Sequence, residues 1–277
     1  MASQRDVKNR IESVKNIRKI TRAIEMVAAA RLRRAEQRIA HLRPYAGAIR
    51  RMTRQAAQAA GGEISGLPIL QQHDEQRRVA ILLVTADRGL AGAFNSQILR
   101  AGLRAAGEFE GDGQEVAFSA SGRRGVSSLT FRGREPQGAY VDGKVDRVDI
   151  LYNGYVSPLV QEVRRETLLP LQEATILESA DDEDDDEETG HNALVEYEPG
   201  PEEILERLIP DYVEISLYRA LLESTASELG ARMTAMRNAS RNAGEIIDDL
   251  TLEMNRARQA EITQEIMEVV AGAEALV

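Results

Sequence analysis

Two stretches of heptad-spaced apolar residues, one at each end of the chain, constrain the fold most. In the first stretch, twelve steps between apolar or small residues cover 42 residues, a mean of 3.5 per step. That spacing keeps one stripe of a helix against a partner helix, whereas a straight helix repeats every 3.6 residues. The stripe consists of Val7, Ile11, Val14, Ile17, Ile20, Ile24, Ala28, Leu32, Ala35, Ile39, Leu42, Ala46 and Ile49.

This pattern predicts a single N-terminal helix over residues 1–60. About 50 helical residues would span roughly 75 Å, which exceeds the width of a small domain. Pro44 falls inside the pattern and predicts a kink there. The pair Gly61-Gly62 is a suitable stop signal.

The C-terminal stretch has the same character, and it predicts a second long helix over residues 211–277. Proline is absent from these residues. Because neither helix can bury its stripe alone, we expect the two to pair with each other. The second stripe consists of Leu222, Ala226, Leu229, Met233, Met236, Ser240, Ala243, Ile247, Leu250, Met254 and Ala257.

The residues between the two helices predict a small Rossmann-like α/β domain over 75–210. A continuous apolar run, Val79–Thr85, is typical of a strand buried on both faces. A glycine-rich turn and an amphipathic segment follow it, and strand–helix–strand order favours a parallel sheet. The amphipathic segment is Phe94–Ala106, and the further strand candidates are Glu115–Ser121, Val145–Tyr152 and an edge strand, Tyr155–Leu169, that contains Pro158.

Charge is distributed very unevenly along the chain. Residues 1–60 contain 15 Lys/Arg and 4 Asp/Glu, although the net charge of the whole chain is −10. Eight consecutive carboxylates occupy 181–188; they repel one another and predict a disordered loop over about 179–195. A basic arm indicates an anionic partner, either a nucleic acid, a membrane surface or an acidic protein. The absence of aromatic residues among its arginines disfavours nucleic acid as that partner. A nucleic-acid-binding coiled-coil protein therefore remains only as the alternative function.

Motifs for catalysis or cofactor binding are absent from the sequence. It lacks a phosphate-binding loop and a nucleophile elbow, its three histidines are scattered, and it contains no cysteine. The turn Gly89–Gly92 follows a strand and precedes a helix, so an enzyme that holds a phosphate there is a third hypothesis. We expect no catalytic residue, no cofactor and no metal. Because the opening residues are charged and long apolar runs are lacking, we expect neither a secretory signal nor a membrane span.

Three segments resemble the ATP synthase gamma subunit family of bacteria. The first is Ile11–Ala29, with the sequence IESVKNIRKITRAIEMVAA, and the second is Thr85–Asn95, with the sequence TADRGLAGAFN. The third runs from Arg232 through Asn255–Ala260 and Ile262–Ile266 to Gly272. The resemblance covers essentially the whole chain and is loosest at residues 108–140 and in the acidic run.

The resemblance implies a fold, a function and partners. In this family the terminal helices form an antiparallel, left-handed coiled coil inside a ring of three alpha and three beta subunits. The α/β domain forms a foot on the membrane ring of c subunits, beside the epsilon subunit. Such a subunit is a non-catalytic rotor shaft that couples rotation of the c ring to changes at the beta subunits. It is peripheral, on the cytoplasmic face of the bacterial cell membrane, and it inserts no segment into the lipid.

The resemblance also implies contact residues, which are matched only where the motif agrees. Those expected to meet the beta subunits are Met26, Ala91, Arg232, Arg258, Gln259 and Thr263, and those expected to meet the c ring and epsilon are Tyr197 and Glu198. Many relatives carry cysteine at the position of Ala91. Met26 lies beside the stripe residues Ile24 and Ala28, so core filling is the alternative to exposure toward a partner.

Overall fold

The computed structural model describes residues 4–59, 77–134, 145–170 and 200–274. Four helices and four strands lie in this part of the chain. In chain order they are α1 (Gln4–Ala59), β1 (Arg78–Val84), α2 (Phe94–Gly111), β2 (Glu115–Ser121), α3 (Arg123–Phe131), β3 (Arg147–Tyr155), β4 (Gln161–Leu169) and α4 (Pro201–Glu274).

Both long helices continue through a proline. Pro44 lies inside α1 and does not end it, whereas the expected stop at Gly61-Gly62 lies outside the described residues. Helix α4 begins at Pro201, ten residues before the start expected at Asp211, and it continues through Pro210. Proline suits the first helical position because its missing N–H would have no partner there. Burial of Leu205 and Ile209 offsets the hydrogen bond that Pro210 cannot make.

Two compact units divide the chain, and the boundary falls inside each long helix. The first unit, called the helical unit here, comprises Met1–Ala30 with Arg232–Val277. The second, called the sheet unit, comprises Arg31–Ala231.

The helical unit pairs α1 with α4 in antiparallel orientation. Near the start of α1, Val7 and Ile11 form a buried cluster with Ile247 and Leu250. Farther along α1, Glu25 accepts a hydrogen bond from Arg237 Nε at 2.9 Å. The residue numbers thus rise along one helix as they fall along the other, as an antiparallel coiled coil requires.

The buried stripe of α1 departs from its expected course at two isoleucines. Ile17 and Ile20 are 53% and 59% exposed, whereas Thr21 is buried. Alternating steps of four and three residues from Val14 lead to position 18 and then to Thr21. The geometry of the helix therefore buries the polar Thr21 rather than Ile17 or Ile20. The expected places of Ile17 and Ile20 in the stripe are therefore wrong.

The stripe of α4 within the helical unit is confirmed, and it ends beside the point where α1 begins. Met233, Met236, Ala243, Ile247 and Leu250 are buried, and Met254 and Ala257 are half-buried. Every described side chain from 258 to 271 is exposed. The antiparallel register explains this change, because the pairing of residue 25 with 237 places residue 258 near the first residues of α1.

The sheet unit contains a four-stranded sheet in the order β2-β1-β3-β4. Strands β2, β1 and β3 are parallel, and β4 is an antiparallel edge strand. The apolar run of β1 serves both faces, as expected for a buried parallel strand. Val79, Ile81 and Leu83 pack with α2, while Val84 packs with Ala220 of α4.

Three details of the sheet unit differ from the expected elements. Helix α3 was not predicted, because its nine residues are too few to show a clear period. Strand β3 runs to Tyr155, which was expected to begin the edge strand. Strand β4 starts only at Gln161, since Pro158 lies in the hairpin loop between the two strands.

Candidate interaction surfaces

The exposed sides of the helical unit carry apolar residues close to Met26. Met26 is 61% exposed and its neighbour Val27 is 52% exposed. Core filling, the alternative for Met26, is therefore wrong. Ile17 and Ile20 add apolar surface on the same helix, so α1 presents large apolar side chains outside the seam that it forms with α4.

Guanidinium groups surround a small cavity of about 330 Å³ beside Met26. Two of its arginines come from α1 and two from α4, and the set is Arg18, Arg22, Arg237 and Arg241. Glu25 is the one carboxylate in the lining, where it accepts the bond from Arg237. Four positive charges against one negative charge make this place suited to the carboxylates of another molecule.

The end of α4 beyond Ala257 holds the polar residues expected to meet a partner. Arg258, Gln259 and Thr263 are all exposed, and Thr263 Oγ1 donates to the Gln259 carbonyl at 2.8 Å. Large apolar residues are exposed beside them, namely Ile262, Ile266, Met267, Val269 and Val270. Arg232 is the first residue of α4 in the helical unit. Its side chain is half-buried and interacts with another group.

The turn between β1 and α2 presents Leu90 rather than Ala91. Ala91 is 2% exposed and packs with Ala86, Phe94 and Ala231, so its side chain cannot meet a partner. Leu90 is 63% exposed and has a φ of 65°, which turns its side chain outward at the cost of a left-handed backbone. Sequence reasoning missed Leu90 because the family motif marks the turn and not the direction of each side chain.

The same turn is poorly suited to hold a phosphate. The backbone N–H of Ala86 donates to Asn95 Oδ1 at 2.9 Å, and the N–H of Arg123 donates to Asp87 Oδ1 at 3.0 Å. At the start of α2, the Phe94 N–H is also bonded, to the Ala91 carbonyl at 3.2 Å, and the Asp87 carboxylate beside the turn would repel a phosphate. Within the described ranges, no group of three or more His, Asp or Glu side chains could hold a metal ion.

An ionic network joins the edge of the sheet to α4, and the sequence did not reveal it. Tyr152 donates to Glu166 Oε1 at 2.5 Å, and Arg219 Nη2 donates to Glu166 Oε2 at 2.8 Å. Arg164 Nη1 donates to Glu223 Oε2 at 3.2 Å. Burial raises the pKa of Tyr152 well above its usual value, and the nearby Glu166 carboxylate adds to the rise. Burial also raises the pKa of Glu223, although Arg219 and Arg164 act to lower it.

A second network lies on the opposite face of the sheet, around Asp149. This carboxylate is fully buried and accepts hydrogen bonds from Arg147 at 2.7 Å and from Arg165 at 2.8 Å. Both guanidinium groups also lie over the ring of Phe109. The sequence did not reveal this burial. The alternating apolar residues of β3, Val148, Ile150 and Tyr152, are compatible with either a buried or an exposed aspartate at position 149.

Part of the expected surface lies outside the described residues. Tyr197 and Glu198, expected to meet the c ring and epsilon, fall in 171–199, as does the acidic run 181–188. Among the helices of the described ranges, none is both long and apolar enough to cross a membrane.

Comparisons with known proteins agree over the full length of the chain. A family model described as ATP synthase matches residues 3–142 and 137–276. The ATP synthase gamma chain of Rubrobacter xylanophilus is 41% identical over 299 residues, which cover 100% of this chain and 99% of the relative. The gamma chain of Moorella thermoacetica is also 41% identical and is covered completely.

Solved structures show the same fold. A chain of the Euglena gracilis mitochondrial ATP synthase, from a structure of OSCP, F1 and c-ring, aligns with a TM-score of 0.65. It is 18% identical, and the alignment covers 99% of this chain and 94% of that one. A chain from the Tetrahymena thermophila central stalk and c-ring gives a TM-score of 0.54 at 23% identity, over 80% of this chain and 99% of that one. With full-length relatives at 41% identity, the chain belongs to the ATP synthase gamma chain family.

Proposed function

We propose that this chain is the central rotor stalk of a proton-translocating ATP synthase. The observation that carries the proposal is the antiparallel pair of heptad helices, whose α4 continues past its partner with every described side chain from 258 to 271 exposed. An exposed helix end with Ile262, Ile266 and Val269 needs a surrounding partner to cover it. A ring of alpha and beta subunits around the helices would supply that cover.

Rotation of the c ring would turn this shaft, and the shaft would change the beta subunits in turn. The shaft itself performs no chemistry in this mechanism. An interlocked helix pair resists bending and twisting, and its two helices present unlike surfaces to the ring. The alternative of a nucleic-acid-binding protein gains nothing from the family to which the chain belongs.

The beta subunits would meet the chain at four places in this proposal. The guanidinium cluster of Arg18, Arg22, Arg237 and Arg241 beside Met26 fits an acidic loop of a beta subunit. Arg258, Gln259 and Thr263 offer polar contacts at the end of α4, and Leu90 offers an apolar contact at the turn. Arg232, which the family motif marks, is the fourth place.

The foot of the stalk would stand on the c ring beside epsilon, through Tyr197 and Glu198. That position makes the chain a peripheral part of a membrane complex, on the cytoplasmic face in a bacterium. It requires no membrane-spanning helix in the chain itself.

Alanine substitutions at the end of α4 test the contacts with the ring. Exposed polar contacts are each worth about 1 kcal/mol, and they must break and re-form at every step. Arg258→Ala, Gln259→Ala and Thr263→Ala are therefore expected to lower ATP hydrolysis by roughly two- to fivefold each, without abolishing it. The assay uses the complex purified with its alpha, beta and epsilon subunits.

Arg132→Ala is the matched control for these variants, because its side chain is exposed, it follows α3 in the sheet unit, and it lies outside the contacts proposed above. Hydrolysis by this variant should equal that of the unmodified complex. A chain that never co-purifies with alpha and beta subunits would rule out the stalk function itself. Activity unchanged in all three variants would instead rule out only these contacts.

Deletion of the acidic run 181–188 is expected to leave assembly and coupling largely intact. Eight adjacent carboxylates repel one another and contribute little to a packed core. The measurement is ATP-driven proton pumping by membranes that carry the deletion, compared with a variant in which the same residues are replaced by alternating Gly and Ser. If the deletion assembled but did not pump, the run would have a coupling role that its composition does not predict.

A further inference from the structure

The sheet unit contains a cavity of about 680 Å³ that none of the contacts proposed above uses. Its wall is built from the middle of α1, the end of β3 with the start of the following loop, β4 and α4. All of the lining residues belong to Arg31–Ala231, so the cavity lies within one compact unit. Small-molecule sites typically have volumes of about 300–1,000 Å³, and this one falls within that range.

Guanidinium groups dominate the polar part of the wall. Arg43 and Arg50 come from α1, Arg164 from β4 and Arg219 from α4, and the carboxylates of the lining are Glu36 and Glu223. Four positive charges and two negative charges give the lining a net charge of +2. The cavity therefore favours an anion.

Arg164 and Arg219 of the wall use only part of their donors within the protein. A guanidinium group has five N–H donors in a planar arrangement. Arg219 donates to Glu166 through Nη2, and Arg164 donates to Glu223 through Nη1. These ion pairs hold the two guanidinium groups in place, and neither pair uses all five donors, although Arg164 also interacts with Tyr152. An arginine fixed in this way loses little freedom when it binds an anion.

Apolar side chains form the rest of the wall. Ile39 and Leu42 lie on α1, Val156 follows β3, and Leu222 lies on α4. Between the two kinds of surface, Tyr155 donates a hydrogen bond to the Glu36 carboxylate. A ligand that fills the cavity would thus combine an anionic end with a flat or apolar end.

We propose that this cavity binds a nucleoside phosphate. Arg43 and Arg219 would hold the phosphate groups, since planar guanidinium groups pair with phosphate oxygens through two parallel bonds. The apolar wall would cover the base, and Glu36 would accept a hydrogen bond from a sugar hydroxyl. Binding involves no bond formation or cleavage, so the site is a ligand site without catalysis.

Titration calorimetry on the full-length chain tests the proposal. The probes are ADP, adenosine and inorganic phosphate at equal ionic strength. ADP is expected to bind with one site per chain, and adenosine and inorganic phosphate are expected to bind at least tenfold more weakly. Each of them offers only one of the two surfaces that ADP engages.

Two arginine variants locate the site on α1. Arg43→Ala removes a lining guanidinium and is expected to weaken ADP binding at least tenfold. Arg38→Ala is the matched control: the residue is also exposed on α1, and it is absent from the lining. Its affinity for ADP should remain within twofold of the unmodified chain.

A third variant fills the cavity without weakening the helix. Gly47 lies in the lining, and a Cβ built there meets only Arg51 Nη1 within 4 Å, at 3.5 Å. Leucine also favours helix more than glycine does. Gly47→Leu is therefore expected to fold normally and to abolish ADP binding.

Three results would each overturn the proposal. The first is the absence of ADP binding to the unmodified chain. The second is an equal loss of affinity in Arg38→Ala and Arg43→Ala, which would indicate diffuse attraction to the basic helix. The third is equal affinity for inorganic phosphate and ADP, which would indicate an anion site that does not recognise a nucleoside.

Discussion

Replacing Leu250 with aspartate is expected to uncouple the complex and to destabilise the helical unit by about 3–5 kcal/mol. Leu250 is 6% exposed and packs with Val7 and Ile11 across the seam between α1 and α4. The substitution removes apolar contacts from both helices and places a carboxylate there without a partner. The seam then opens locally, and a shaft that twists cannot transmit rotation.

The residue two positions along α4 provides a matched control. Leu252 is 58% exposed, so Leu252→Asp introduces the same charge on the same helix without entering the seam. Its effect on stability should stay within about 0.5 kcal/mol. Circular dichroism during thermal unfolding measures stability, and ATP-driven proton pumping by membranes measures coupling, with assembly checked by blotting.

The mechanical role of the seam can be contradicted directly. Suppose that Leu250→Asp assembled and pumped normally while Gln259→Ala pumped no protons. Stiffness of the helix pair would then be unimportant, and a specific contact at Gln259 would have to explain coupling instead.

Replacing Arg219 with leucine is expected to destabilise the sheet unit by about 2–3 kcal/mol. The loss of one partner leaves the Glu166 carboxylate near Tyr152 without the charge that compensates its burial. The side chains of Arg219 and Glu166 are 27% and 34% exposed, so solvent screening reduces the effect below that of a fully buried pair. Urea unfolding of the full-length chain, followed by circular dichroism, gives the free energy of unfolding.

A control and a rescue separate this ion pair from a general effect of arginine loss. Arg207 pairs with Glu203 on the same helix, and its side chain is 79% exposed. Arg207→Leu should therefore cost no more than about 0.5 kcal/mol. Adding Glu166→Gln to Arg219→Leu should recover part of the lost stability, because the amide carries no charge. Equal losses in Arg219→Leu and Arg207→Leu would mean that the network does not hold α4 against the sheet.

The sequence by itself determined the long helices, the strands and the family. Heptad spacing identified the buried stripe of α4, from Met233 to Leu250, because periodicity is a property of neighbouring residues on one helix. The apolar run of β1 identified a strand covered on both faces for the same local reason. The motif around Met26 identified the family, and the exposure of that side chain is confirmed.

Tertiary structure alone decided which polar and apolar residues depart from these patterns. Ile17 is exposed and Thr21 is buried because the register between two helices, fixed by residues more than 200 positions apart, selects the face of α1. Ala91 is buried and Leu90 is exposed because α4 packs on the turn and the backbone at Leu90 has a positive φ. Asp149, Glu166 and Arg219 look like ordinary surface charges in the sequence. The full burial of Asp149 and the partial burial of Glu166 and Arg219 depend on partners from β4 and α4. Such pairing between distant segments has no local periodicity in the sequence.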